Sequence, residues 1–435
     1  MVYIVYNLLL ILFSPAVLVY YLWRIFISRK SRDSWRGNLG ALPRFADRPK
    51  GKKLIWLHVS SVGELVASLP IQDALRRIMP DAIIMLTTVT KTGNDLARKS
   101  AKEADAISYL PLDYPLLINR ALNRVRPDVL VLMEAEVWPN LLAATRRRGI
   151  PIILTNGRIS DFAMTRRPIW RWLASWAYAN VAHCCMQTED DAERVRSLGA
   201  RPEAVHILGS TKFDRGGAML PRDAVTTLKT DLGISDDDQI FIAGSTNPGE
   251  EEPVLTAYRE MRNGSGRLRL IIAPRQIERA EEIRAMAASH GLKCARRSRK
   301  ESLASGSDVL ILDTLGELAE VYAVGDIAFV GGTFIPKGGH SLVQPILQGK
   351  PVLFGPYTFK TQDIAQMAIW EGVGFQVDDA HDLAVQGKAL LSDADRRVRI
   401  DATCRRLVSE NQGASARCAK LIAELLGTHA DGVVE

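Results

Sequence analysis

Charge is missing from the first 23 residues of this 435-residue chain: MVYIVYNLLLILFSPAVLVYYLW holds no Asp, Glu, Lys or Arg. A run of about twenty apolar residues is long enough to span or enter a bilayer. Cysteine is also scarce. Cys184, Cys185, Cys294, Cys404 and Cys418 form no CxxC pair and show no spacing with His that would hold zinc. An odd, unpatterned set fits buried thiols in a reducing compartment. Internal repeats and low-complexity tracts are absent, and a hydrophobic content of 47% with 24% charged residues excludes disorder and fibre. No Walker sequence occurs, no GxGxxG follows the first strand, and no DxD-type metal motif stands in a fitting context.

The charge that is present is uneven. Arg24 to Lys53 carries ten Lys/Arg against two Asp, a balance of +8, while the whole chain is +7. A basic stretch placed directly after an apolar run suits an anionic lipid surface better than nucleic acid, so no nucleic-acid partner is expected. The order of the two also separates anchor from signal peptide. Arg24, Arg29, Lys30 and Arg32 follow the apolar core instead of preceding it, and Tyr and Trp sit at its ends. That pattern indicates an uncleaved anchor with the remainder in the cytoplasm. Ser14 and Pro15 interrupt the run, leaving open whether it spans or dips into one leaflet. A buried core helix is the alternative.

Length predicts two domains. Strands are expected at 54–59, 82–88, 107–112, 129–136, 150–156, 183–188 and 204–209, with helices at 64–77, 92–103 and 139–148. The pattern restarts with strands at 239–246, 268–274, 308–313, 327–333 and 351–356 and helices at 250–262 and 277–290. Alternation of this kind predicts parallel sheets covered on both faces. Gly and Pro cluster at 214–222, marking a linker. The expectation is α/β: two doubly wound, Rossmann-like domains facing across a cleft, with ligands beyond the carboxyl ends of the strands.

Several strand ends carry chemistry. Ser60-Ser61-Val62-Gly63-Glu64 puts a carboxylate at a helix start, either as a general base or as a partner of the macrodipole. Glu134 and Glu136 fall on one side of the strand 129–136, where two carboxylates are costly unless solvated or paired. Lys212, in Gly209-Ser210-Thr211-Lys212-Phe213-Asp214, is either a cation for a leaving phosphate or a solvated linker residue. In the second half, Gly244-Ser245-Thr246 precedes Glu250, Glu251 and Glu252, and its turn amides suit an anion. Pro274-Arg275 follows a strand, and Arg suits phosphate or carboxylate. Gly331-Gly332 and Gly338-Gly339 would let a nucleotide approach the backbone. These features favour a metal-independent transferase using no cofactor, with basic groups and helix dipoles stabilising a departing phosphate.

With those residues in hand, the chain resembles the 3-deoxy-D-manno-octulosonic acid (Kdo) transferases of lipopolysaccharide biosynthesis. The resemblance rests on Ser61–Glu64, Met133–Asn140, Asn156–Ser160, Gly209–Asp214, Asp313–Leu318 and Phe329–Thr333, in that order. It implies a GT-B glycosyltransferase at the bacterial inner membrane, acting on the cytoplasmic side. The donor would be CMP-Kdo and the acceptor a lipid A precursor (lipid IVA), with inversion and without metal. It implies a catalytic base at Glu64, transition-state stabilisers at Glu134 and Lys212, and CMP contacts at Pro274, Arg275, Leu315, Gly316, Glu317, Ser341, Leu342, Val343 and Gln344. Its domains would be an anchor (1–27), an acceptor domain (28–215) and a nucleotide-sugar domain (216–435). Three departures fall on the nucleotide side. Ser341-Leu342-Val343-Gln344 replaces the usual Asn-Pro-Leu-Glu, Gln276 stands for His, and Asn247-Pro248 for His-Glu. A divergent paralogue with another nucleotide-activated acidic sugar or another lipid is therefore the second reading. An inactive lipid-binding protein is the third.

Overall fold

The computed structural model describes residues 2–23, 33–45, 47–159, 168–262 and 267–427. The basic positions Arg24, Arg29, Lys30 and Arg32, and Ser160 of the Asn156–Ser160 motif, lie outside the described residues. The chain divides into two compact units, Met1–Asp214 with Asn411–Glu435, and Arg215–Glu410.

The first unit holds β1 (Leu54–Val59), β2 (Ile83–Thr88), β3 (Ala106–Tyr109), β4 (Val129–Met133), β5 (Ile152–Gly157), β6 (His183–Met186) and β7 (Val205–Ile207). All pair in parallel, in the order β3-β2-β1-β4-β5-β6-β7. Every residue of β1 is buried, because helices cover both faces. Its period of two sorts the side chains: Leu54 and Trp56 join one core, and Ile55, Leu57 and Val59 the other.

The second unit repeats the plan with β8 (Gln239–Thr246), β9 (Leu268–Pro274), β10 (Cys294–Arg296), β11 (Val309–Ile311), β12 (Ile327–Val330), β13 (Val352–Phe354) and β14 (Gly374–Gln376). The order is β10-β11-β9-β8-β12-β13-β14. Strands β10 and β14 have three residues each and escaped the sequence reading because so short a run has no measurable period.

The tail is a correction. The sequence reading gave residues up to 435 to the second domain, but from Asn411 on the chain belongs to the first unit. Cys418, Ala419, Ile422 and Ala423 of the helix Ala414–Leu425 enter the core shared with Leu65, Leu69 and Ile71 of the helix Val62–Ile78. Asp214 fixes the return, accepting from the backbone N–H groups of Gly413 (2.6 Å) and Ser415 (2.7 Å). Asn411 Oδ1 accepts from the Ser210 N–H at 2.7 Å.

The N-terminal helix runs unbroken over Val2–Leu22 with Pro15 inside it, so Ser14 and Pro15 do not interrupt it. Its polar side chains bind the first unit. Tyr6 Oη donates to Asp113 Oδ2 at 3.0 Å, Asn7 Nδ2 to Asn140 Oδ1 at 3.0 Å, and Arg147 donates to Tyr3 Oη at 2.7 Å. Ile4, Leu8, Ile11, Leu12 and Val19 are exposed.

Candidate active site

In a doubly wound sheet, the crevice opens where neighbouring strands send their connections in opposite directions, beyond the carboxyl ends. In the first unit β1 and β4 form that pair. Glu64 follows β1 and Glu134 follows β4.

Ser61 caps the helix Val62–Ile78 by accepting from the Glu64 N–H at 3.1 Å. The Glu64 carboxylate folds back to Ser60. Oε2 accepts from the Ser60 N–H and Oε1 from Ser60 Oγ, both at 2.7 Å. Burial, with Glu136 and Glu134 nearby, pushes the Glu64 pKa up to about 7. A carboxyl group poised there is half ionised at neutral pH, where a general base works best.

Glu134 and Glu136 are not strand neighbours as expected. Strand β4 ends at Met133, and Glu134 adopts φ +55°, a left-handed conformation that a non-glycine residue holds only at a cost of about 1–2 kcal/mol. The Glu134 N–H still donates to the Thr155 carbonyl at 3.0 Å, so the turn is pinned to β5. Glu134 Oε1 lies 3.9 Å from Lys212 Nζ. Lys212 is held in turn by its neighbour: Thr211 donates through its hydroxyl to the Ala67 carbonyl (2.8 Å) and through its N–H to Asn156 Oδ1 (3.1 Å). Asn156 is itself at φ +52°, beside the irregularity between β5 and β6. Glu136 accepts from the Trp138 indole N–H, and burial raises its pKa.

His58 was missed. It is wholly buried on β1; its Nδ1–H donates to the Thr87 carbonyl at 3.1 Å, and Nε2 lies 3.8 Å from Glu136 Oε2. Burial lowers its pKa to about 4, so the ring is neutral and the contact with Glu136 is not an ion pair. Among the described residues, Nε2 has no hydrogen-bond partner. The signal was available: one imidazole near the end of an otherwise apolar strand.

In the second unit β8 and β12 are the corresponding pair. Beside the turn Gly244–Thr246, whose amides were expected to suit an anion, other amides already hold an anion of this chain. Glu250, fully buried, accepts from the N–H groups of Asn247 (3.0 Å), Gly332 (2.6 Å), Thr333 (3.0 Å) and Phe334 (3.0 Å). The paired glycines likewise make room for the protein itself. A Cβ on Gly331 would lie 2.5 Å from the Ser245 carbonyl, and one on Gly332, at φ +75°, 2.9 Å from the His340 ring. Cβ atoms on Gly338 and Gly339 would meet Phe359 and Thr361.

The residues named for CMP separate. Arg275 is exposed after the buried Pro274, its N–H donating to the Thr246 carbonyl at 2.8 Å. Leu315 is 80% exposed, Gly316 has φ +92°, and Glu317 pairs with Arg297 at 3.1 Å. Leu342 and Val343 send their side chains into the core, whereas Ser341 is exposed and Gln344 half-buried.

Comparison with known proteins follows the same division. Residues 33–215 match the family model described as 3-deoxy-D-manno-octulosonic-acid transferase (kdotransferase). A bifunctional glycosyltransferase/methyltransferase of Fusobacterium nucleatum is 34% identical over 77% of this chain, which spans about half (52%) of that longer protein. The 3-deoxy-D-manno-octulosonic acid transferase of Bordetella pertussis is 33% identical over 86% of this chain and 87% of its own length. That of Haemophilus influenzae is 30% identical over 91% and 90%. Among solved structures, the calicheamicin glycosyltransferase CalG4 superposes with a TM-score of 0.51 at 14% identity, covering 86% of this chain and 98% of its own; that likeness is one of fold, the GT-B fold. The chain is a glycosyltransferase and belongs to the 3-deoxy-D-manno-octulosonic acid transferase family of lipopolysaccharide synthesis.

Proposed function

We propose that this enzyme transfers Kdo from CMP-Kdo to a lipid A precursor, lipid IVA, with inversion and without a metal ion. The observation that carries the reading is the Glu64 carboxylate, buried beyond β1 with its pKa near 7 and Glu134 and Lys212 at the neighbouring strand. Glu64 takes the proton from an acceptor hydroxyl as that oxygen attacks the anomeric carbon. Two hydrogen bonds from Ser60 leave the carboxylate further lone pairs for that proton. Lys212 and Glu134 stabilise the transition state, and CMP leaves as the anion. Pro274, Arg275, Leu315 to Glu317 and Ser341 to Gln344 contact CMP. Nucleic acid is not a partner.

The membrane enters through the N-terminal helix. Asp113 follows β3, and Asn140 begins the helix after β4, so the polar contacts of Tyr6 and Asn7 are made at the carboxyl edge that also carries Glu64. Lys50, Lys52 and Lys53 precede β1 and belong to the opposite edge, where Arg48 pairs with Asp128 at 2.7 Å. The helix, more than the basic stretch, therefore holds the base near a lipid head group. The outward row of Ile4, Leu8, Ile11 and Leu12 lies along the cytoplasmic face of the inner membrane.

The test is incubation of the full chain with CMP-Kdo and lipid IVA, with product masses read out. A mass gain of one or more Kdo units is expected. No product from a folded, CMP-binding protein overturns the donor and acceptor assignment and favours a related acidic sugar or lipid, the reading that Asn247, Gln276 and Gln344 motivate.

A further inference from the structure

The second unit contains a hydrogen-bond arrangement whose donors and acceptors are fixed by chemistry alone. Lys337 Nζ donates to Asn247 Oδ1 at 2.7 Å. An ammonium has no acceptor, so the amide oxygen must face it. On its other side, Asn247 Nδ2 lies 3.2 Å from the Ser245 carbonyl and 3.3 Å from Glu250 Oε2, which are both acceptors. The amide therefore cannot be flipped, and its NH2 group is what meets His340 Nε2 at 3.1 Å. Nε2 must then accept, and the imidazole proton must sit on Nδ1.

The ring is held from other directions as well. It packs against Gly332, and the His340 N–H donates to the Gly331 carbonyl at 3.1 Å. Arg275, Lys337 and Lys360 act on it as positive charges and Glu250 as a negative one. Burial and Arg275 hold its pKa below the usual histidine value, so it stays neutral. Among the described residues, Nδ1 has no hydrogen-bond partner.

We propose that Asn247 is a positioning residue that locks His340 as the Nδ1–H tautomer, so that this N–H, among Arg275, Lys337 and Lys360, donates to an oxyanion of the nucleotide-activated sugar. The inference rests on the donor assignment proposed above for the ligand, but not for the tautomer. The oxyanion is the phosphate or the sugar carboxylate. A hydrogen bond to a charged group corresponds to about 10- to 100-fold in affinity.

The first experiment needs no substrate: two-dimensional 15N–1H spectra of the full chain, labelled at histidine, with His340→Asn used to assign the signal. A neutral ring protonated at Nδ1 is expected at pH 7.5. Protonation at Nε2, alone or with Nδ1, overturns the proposal whatever the enzyme transfers. In Asn247→Asp, which offers only acceptors, the proton should move to Nε2 and the His340 titration should rise; an unchanged ring in that variant also overturns it. The second experiment measures CMP and CMP-Kdo binding by calorimetry. His340→Phe should weaken binding about tenfold or more, and His340→Asn, which keeps an N–H near the Nδ1 position, should restore much of it. Equal losses for CMP and CMP-Kdo identify the phosphate as acceptor, and a loss confined to CMP-Kdo the sugar carboxylate. Unchanged affinity for both in His340→Phe sinks the ligand role while leaving the transfer assay to judge the reaction itself.

Discussion

Ser60 grips the Glu64 carboxylate twice, through its N–H at 2.7 Å to Oε2 and its hydroxyl at 2.7 Å to Oε1. Burial drives Glu64 and the neighbouring Glu136 toward protonation. The Glu64 carboxylate is held in one orientation by the two bonds from Ser60.

Glu64→Gln should abolish transfer, by about 10²–10⁴-fold or more, while calorimetry shows CMP binding intact. In the wild-type enzyme kcat/KM should rise with pH through about 7, because only ionised Glu64 takes the proton. A profile that is flat between pH 5.5 and 8.5 would remove Glu64 from the base role.

The raised pKa of Glu64 also has a stability sign. The folded state holds this proton more tightly than the unfolded chain does, so the contribution to stability is full below about 4.5 and falls as pH climbs to about 7. The shift corresponds to about 3 kcal/mol at pH 8. Glu64→Gln should therefore unfold at a higher temperature than wild type at pH 8 and show little gain at pH 4.5, as read by thermal melts.

Glu250→Gln should destabilise the second unit by about 2–4 kcal/mol. The carboxylate satisfies four N–H groups, three of them in buried bonds, and an amide turns its NH2 toward some of them. Hydrogen exchange at Gly332 to Phe334 should accelerate; unchanged protection there would contradict the geometry.

Gly332→Ala should cost about 1–3 kcal/mol, since alanine at φ +75° is strained and its Cβ meets the His340 ring at 2.9 Å. Denaturant melts of the variant and of the doubly substituted Gly332→Ala/His340→Ala chain separate the two causes. Partial recovery in the pair is expected.

Asp113→Ala should loosen the N-terminal helix. Asp113 accepts from Tyr6 Oη and from the N–H groups of Asn140 and Leu141, and burial lifts its pKa to about 6. Weaker transfer to vesicle-embedded acceptor is expected, with Asn7→Leu reproducing the effect without uncapping the helix at Pro139.

Much of the fold was legible in the chain because its signals are local. Apolar runs such as Leu54–Val59 and Leu268–Pro274 can be buried on both faces only as central parallel strands, so their limits agree with the structure to the residue. Glu64 was legible too, since a strand, a glycine and a helix start placed it at the sheet edge. The left-handed turn at Glu134 was not, because its cause is a bond to Thr155 in the next strand. Nor was the purpose of the double glycines, which depends on what approaches them from 245, 340, 359 and 361.

By itself, then, the sequence determined the two sheets, the apolar N-terminal helix, the family and the carboxylate at the end of β1. Tertiary structure alone decided that Glu250 is held by the amides of Gly332 to Phe334, that the tail from Asn411 returns to the first unit, and that Asn247 meets His340 from 93 residues away. The physical reason is separation along the chain. Periodicity records which face of an element is buried, whereas a hydrogen bond between two distant loops leaves no repeat in the sequence and exists only after the sheet has brought their strand ends together.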